Sequence, residues 1–161
     1  MWCLLSSGNY EKAEKICTPF LEKVNQGIGS CDLRTVKQAK ELAQIFDHLR
    51  PEFAEKILHS TLANLPPKQD QQRASLWAEL AGVHLRFTGK EHPDRLERTQ
   101  KAHQCYTNEL DILSTLPSTT QDELTRKRRS LKWIQLDIDE IKRDSSSEAQ
   151  GNPSKVDKAG V

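Results

Sequence analysis

A chain of 161 residues has room for one domain with a proper core but not for two independent ones, which excludes a large multidomain enzyme. Its 24 Lys and Arg nearly cancel its 23 Asp and Glu, so the one-signed field of a general nucleic-acid or anionic-membrane binder is absent and electrostatic recognition must be local. At 35% hydrophobic and 29% charged the balance is polar, yet large apolar residues recur at ordered positions, which argues for a soluble helical domain.

Gly and Pro punctuate a series of helix-period segments. Tyr10, Ala13, Cys17, Phe20 and Val24 step by three and four residues and give a first complete helix ending before Gly27-Ile28-Gly29. Asp32 is placed to cap a second helix whose stripe is Val36, Ala39, Ala43 and Phe46, widened by Leu42, Ile45 and Leu49. An arc that wide needs neighbours on two sides. Pro51 suits the first turn of a third helix, where its missing N–H would be unpaired anyway, and Phe53, Ile57, Leu58, Thr61 and Leu65 run to a stop at Pro66-Pro67.

A fourth helix carries Leu76, Trp77, Leu80, Ala81, Val83, His84 and Phe87, and should be the most buried element with Trp77 at its centre. Asp94 can cap a fifth, with Leu96, Thr99, Ala102, Tyr106, Leu110 and Leu113 on its inner face. Thr120-x-x-Glu123 reads as a capping box opening a sixth, in which Leu124, Leu131, Ile134, Ile138 and Ile141 keep near-heptad, coiled-coil-like spacing with Lys127 in the seam. Trp133 and Leu136 fall off that seam and either pack on the fifth helix, the more common fate of such residues, or form an exposed docking patch. Residues 144–161 lack apolar periodicity and are expected to be a disordered polar tail behind a helical domain at 1–143.

Six helices without an alternating strand pattern give an all-α class. The motifs Trp77-x2-Leu80-Ala81-x2-His84, Ala102-x3-Tyr106 followed by Pro117, Ala54-x3-Leu58 followed by Pro66, and Gly8-Asn9-Tyr10 with Ala13 resemble the tetratricopeptide repeat (TPR) family. Ala and His stand where that signature has Gly and Tyr, Pro117 sits late, and His84 and Ala102 are farther apart than in the usual repeat. The resemblance implies antiparallel helix pairs stacked as a short right-handed solenoid with a C-terminal capping helix. It also implies that the chain begins inside a repeat.

The same resemblance implies a concave groove lined by the first helix of each pair. The positions that hold Lys, Asn and Arg in chaperone-tail-clamping members are here Ser75, Glu79 and Gly82, together with Val36, Ala39, Lys40 and Ala43. A groove of small and apolar groups suits an apolar peptide or amphipathic helix of another protein. The expected function is therefore a non-enzymatic adaptor or scaffold, acting as a monomer or as part of a larger complex.

The alternative is a nucleic-acid-associated or nuclear protein using the basic stretch Arg126, Lys127, Arg128, Arg129 and Lys132, although the near-neutral charge disfavours nucleic acid as a partner. No catalytic constellation, phosphate-binding loop, metal-ligand spacing or cofactor motif stands out, and His84 reads as a hydrogen-bonded core residue. Cys3, Cys17, Cys31 and Cys105 have no C-x-x-C spacing and are expected to be reduced, packed thiols. With no basic leader and no apolar run near the roughly 20 residues that span a bilayer, the expected address is the cytoplasm, with the nucleus as alternative and no membrane association.

Overall fold

The computed structural model describes residues 9–25, 33–47, 50–86 and 93–150. They form six helices and no strand: α1 (Tyr10–Asn25), α2 (Leu33–Phe46), α3 (Pro51–Ala63), α4 (Asp70–Leu85), α5 (Arg95–Thr115) and α6 (Gln121–Gln150). Among these residues no helix is long and apolar enough to cross a membrane. The expected cap Asp32, the apolar Leu49 and Phe87, the thiols Cys3 and Cys31, Gly8, and the turn Gly27–Gly29 lie outside the described residues.

The helix boundaries follow local chemistry. Pro51 sits in the first turn of α3. The Asn64 side-chain amide donates to the Ser60 carbonyl at 2.9 Å, closing that helix's last turn. From α4, the Arg73 guanidinium reaches back to the Leu65 and Pro66 carbonyls at 3.2 and 3.3 Å and holds the turn between the two helices. Asp94 stands at the N-cap position of α5, though without the side-chain capping bond. At the start of α6 the Glu123 N–H donates to Thr120 Oγ1 at 3.2 Å, as the capping-box spacing requires. Pro19 lies inside α1 at an exposed position, away from the face that packs.

Packing is densest between α4 and α5, followed by α5 with α6 and α2 with α3; α3 meets α4, α1 meets α3, and α2 meets α4. The main core joins Ala13, Cys17 and Leu21 of α1, Val36, Ala39, Ala43 and Phe46 of α2, Ala54, Ile57, Leu58 and Leu62 of α3, Leu76, Leu80, Ala81 and Val83 of α4, and Cys105 of α5. Phe46 and Phe53 meet edge to face across the α2–α3 turn, with ring centroids 4.8 Å apart. A smaller cluster of Ala74, Leu113 and Leu124 closes the end where α6 begins.

Three expectations need correction. Trp77 is only partly buried and packs against the core from its margin, with its ring centroid 6.3 Å from that of His59, as suits an indole, which is large and seldom enclosed whole, whereas Leu76, Leu80 and Ala81 are fully enclosed. Trp133 and Leu136 do not pack on α5: they are 64% and 46% exposed, on the side of α6 away from its buried seam. Residues 144–150 are helical rather than disordered, and 151–161 lie outside the described residues. Extending an existing helix carries no nucleation cost, which outweighs the weak helix preference of the serines; the Ser145 and Ser146 hydroxyls donate to the Ile141 and Lys142 carbonyls at 2.8 Å each.

Leu76→Ala or Leu80→Ala should lower unfolding free energy by about 2–5 kcal/mol, the scale for truncating a fully buried leucine, whereas Trp77→Ala leaves the domain folded. Urea denaturation followed by circular dichroism checks both; an unfolded Trp77→Ala protein would place the indole inside the core.

Candidate interaction site

Along α2, Leu33, Lys37, Lys40 and Gln44 recur at helical spacing beside the buried stripe of Val36, Ala39, Ala43 and Phe46. Opposite them α4 presents Gln72, Ser75 and Glu79. Between the two helices lies an open groove of about 410 Å³, lined chiefly by Leu33, Val36, Lys40, Gln44, Gln72 and Ser75. Leu33 stands at its edge, 66% exposed. Side chains bridge the helices here: Lys40 Nζ donates to Ser75 Oγ at 2.7 Å and lies 3.9 Å from Glu79 Oε2, while Gln44 Nε2 donates to Glu79 Oε1 at 2.9 Å. Leu33, Lys37, Glu41, Gln71 and Gln72 complete the lining outside these links.

The structure brings together some of the sequence-derived groove residues and removes others. Val36, Lys40 and Ser75 line the groove, and Glu79 adjoins it through its bonds to Lys40 and Gln44. Ala39 and Ala43 are wholly buried in the main core, so neither presents a surface; their small side chains serve close helix approach. Gly82 lies along α4 beyond the groove, and a Cβ there would meet only the Arg86 guanidinium, at 3.9 Å, an ordinary contact. Polar side chains such as Lys40, Gln44 and Gln72 border the groove, while most of the surface exposed within it is apolar. Leu33 and the glutamines were legible only as an apolar residue leading a polar stripe, a signal weaker than the core stripe beside it.

The basic stretch also divides. Arg126, Arg128, Arg129 and Lys132 are exposed. Lys127 instead turns toward α5, where its Nζ lies 2.6 Å from Oε1 of the buried Glu109 and 5.8 Å from the centroid of the Tyr106 ring. That pairing accounts for a lysine in an otherwise apolar seam.

Other buried polar groups tie helices together. His84 is buried, with Nδ1 3.4 Å from Glu55 Oε1, and the same carboxylate accepts from Arg98 Nη1 at 3.2 Å, so α3, α4 and α5 meet at one charge cluster. Burial alone would raise the Glu55 carboxyl, but the His84 imidazole and the Arg98 guanidinium together hold it below the ordinary Glu range. The buried Asp47 pairs with Arg86 beyond the end of α4. Burial pushes the Cys17 thiol up and that of Cys105 to about 12, which leaves both protonated at neutral pH and poor nucleophiles. Among the described residues no group of His, Cys, Asp and Glu is arranged to hold a metal ion. No protein-family model matches the chain, and no characterised protein or solved structure matches it.

Lys127→Ala strands the Glu109 carboxylate and should cost about 3 kcal/mol, whereas the double replacement Glu109→Leu/Lys127→Leu should be close to neutral, because an apolar pair avoids the desolvation of two charges. A double-mutant cycle by chemical denaturation measures the difference; equal losses in both variants would mean that the pair carries no buried charge. A second expectation concerns acid. Because the folded Glu55 carboxyl lies below its unfolded value, its stabilising contribution is complete above the ordinary Glu range and disappears as pH falls through the lowered folded value. Glu55→Gln should flatten the acid limb of a stability–pH series, and an unchanged limb would rule out this linkage.

Proposed function

We propose that this chain is a protein-docking module, a TPR-like stack in which α2/α3 and α4/α5 are successive helix pairs, α6 is the cap, and the α2/α4 groove receives a segment of another protein. The observation that carries this reading is register. Lys40 meets Ser75 and Gln44 meets Glu79, each pair 35 residues apart, as two parallel first helices offset by close to the 34-residue TPR period would do. Support also comes from the order of packing, in which α2 touches both its partner α3 and the next first helix α4.

The groove chemistry suits a short peptide with one apolar anchor. Leu33 and Val36 offer the apolar contact, and the primary amides of Gln71 and Gln72 can both donate to and accept from an extended backbone. A photo-crosslinking residue at position 37 should capture a protein from cell extract, and Leu33→Glu should abolish the crosslink while helix content is retained. A crosslink insensitive to Leu33→Glu, or none above background, rejects the groove. Loss of the captured species after nuclease treatment would instead favour the nucleic-acid reading, with Arg126, Arg128, Arg129 and Lys132 as the contact.

A further inference from the structure

The seam of α6 is satisfied by α5: Leu124, Ile134, Ile138 and Ile141 are buried, and Lys127 is paired with Glu109. Its opposite side is another matter. Arg129, Trp133, Leu136 and Glu140 recur there at spacings of four, three and four residues, flanked by Lys132 and Asp137. Trp133 and Leu136 are the apolar centre of this stripe, and no described element covers them. Charge along the stripe changes sign at that centre, from Arg126, Arg129 and Lys132 on the N-terminal side to Asp137 and Glu140 on the C-terminal side, before Arg143 returns a cation one turn further on. Among the described residues Arg129, Lys132, Asp137 and Glu140 have no ion-pair partner.

An apolar centre with cations on one side and anions on the other is complementary to itself after a two-fold rotation. We propose that the outer face of α6 binds α6 of a second copy of this chain, antiparallel. Trp133 then packs on the partner's Leu136, Arg129 faces the partner's Glu140, and Lys132 faces the partner's Asp137. Each contact occurs twice. A parallel pairing would set Arg129 against the partner's Arg129 and Glu140 against the partner's Glu140, so the charges select the antiparallel arrangement. They also disfavour other occupants: a polyanion attracted to Arg129 and Lys132 meets Asp137, Asp139 and Glu140 within two turns, and an acidic peptide meets the same repulsion. A second copy answers the stripe from Arg129 to Glu140, and the repulsion of Arg126 from the partner's Arg143 at each end keeps the contact weak.

The contact is modest. Two apolar side chains and two ion pairs from each copy fall in the weak class of interfaces, below about 1,200 Å² of buried area, with a dissociation constant on the order of 10–100 µM. This face is distinct from the α2/α4 groove, so dimerisation and groove binding succeed or fail separately.

Sedimentation of the full chain from about 1 µM to about 1 mM should show a monomer passing to a dimer, with Trp133 emission solvent-like in the monomer and shifted to the blue in the dimer. Trp133→Glu should remain monomeric throughout with unchanged helix content. Arg129→Glu and Glu140→Arg, made singly, should each weaken self-association by about tenfold or more, because each places like charges across both symmetric contacts. Combining the two in one chain should restore the dimer. An equimolar mixture of the two single variants should also restore it, since every cross-contact in that heterodimer pairs opposite charges.

A monomer at every concentration overturns the proposal, as does a dimer that survives Trp133→Glu. Loss of helix content in Trp133→Glu would place the indole inside the fold and overturn it equally. A dimer that the double variant and the mixture both fail to restore overturns the antiparallel pairing.

Discussion

Enclosure of α4 on several sides is the constraint from which the rest of the structure follows. The helix is met by α2, α3 and α5, so Leu76, Leu80, Ala81 and Val83 are all in the core although they point in different directions around its axis. A helix so enclosed has little freedom to present polar groups to water, and its polar side chains are used against its neighbours. Ser75 and Glu79 bond to α2, His84 approaches Glu55 of α3, and Arg86 follows the helix to reach Asp47. Beside α2, toward the start of α4, surface remains between the two helices. The groove lies there for that reason, and not where an apolar lining of alanines would have put it.

Burial of charge at the α5–α6 contact works differently. An apolar heptad seam can slip by a turn with little loss of contact area, because one Ile or Leu replaces another. Lys127 opposite Glu109 removes that freedom, since any slipped register leaves a buried carboxylate without its cation. The pair is costly in desolvation and adds little net stability, but it discriminates strongly between alignments. With the seam held in this way, the orientation of the outer face of α6 is settled too, and Trp133 and Leu136 are left in water.

The near-zero net charge conceals an uneven distribution. Oppositely charged groups are concentrated at helix contacts, in the Glu55–His84–Arg98 cluster, in Asp47–Arg86 and in Glu109–Lys127, while the exposed side of α6 carries short blocks of one sign, cationic at Arg126–Lys132, anionic at Asp137–Glu140 and cationic again at Lys142 and Arg143. Buried pairs resist salt screening far better than exposed charges do, so the fold and its surface contacts should respond to ionic strength on different scales.

Much of the architecture was legible in the residues alone. Periodicity located all six helices, Pro51 and the Thr120–Glu123 box marked two helix starts, and the stripes Val36–Ala39–Ala43–Phe46 and Ile57–Leu58–Thr61 entered the core as their spacing required. These features depend on neighbours three or four residues apart, which a sequence displays directly. Tertiary packing decided the rest. Whether Ala39 and Ala43 line a groove or fill a core depends on how α2 is rotated against α3 and α4; whether Lys127 joins a basic patch depends on Glu109, 18 residues earlier in the chain. The exposure of Trp133 reflects the same limit, because hydrophobicity states what a side chain would gain from burial, whereas only the arrangement of the other helices determines whether anything is there to bury it.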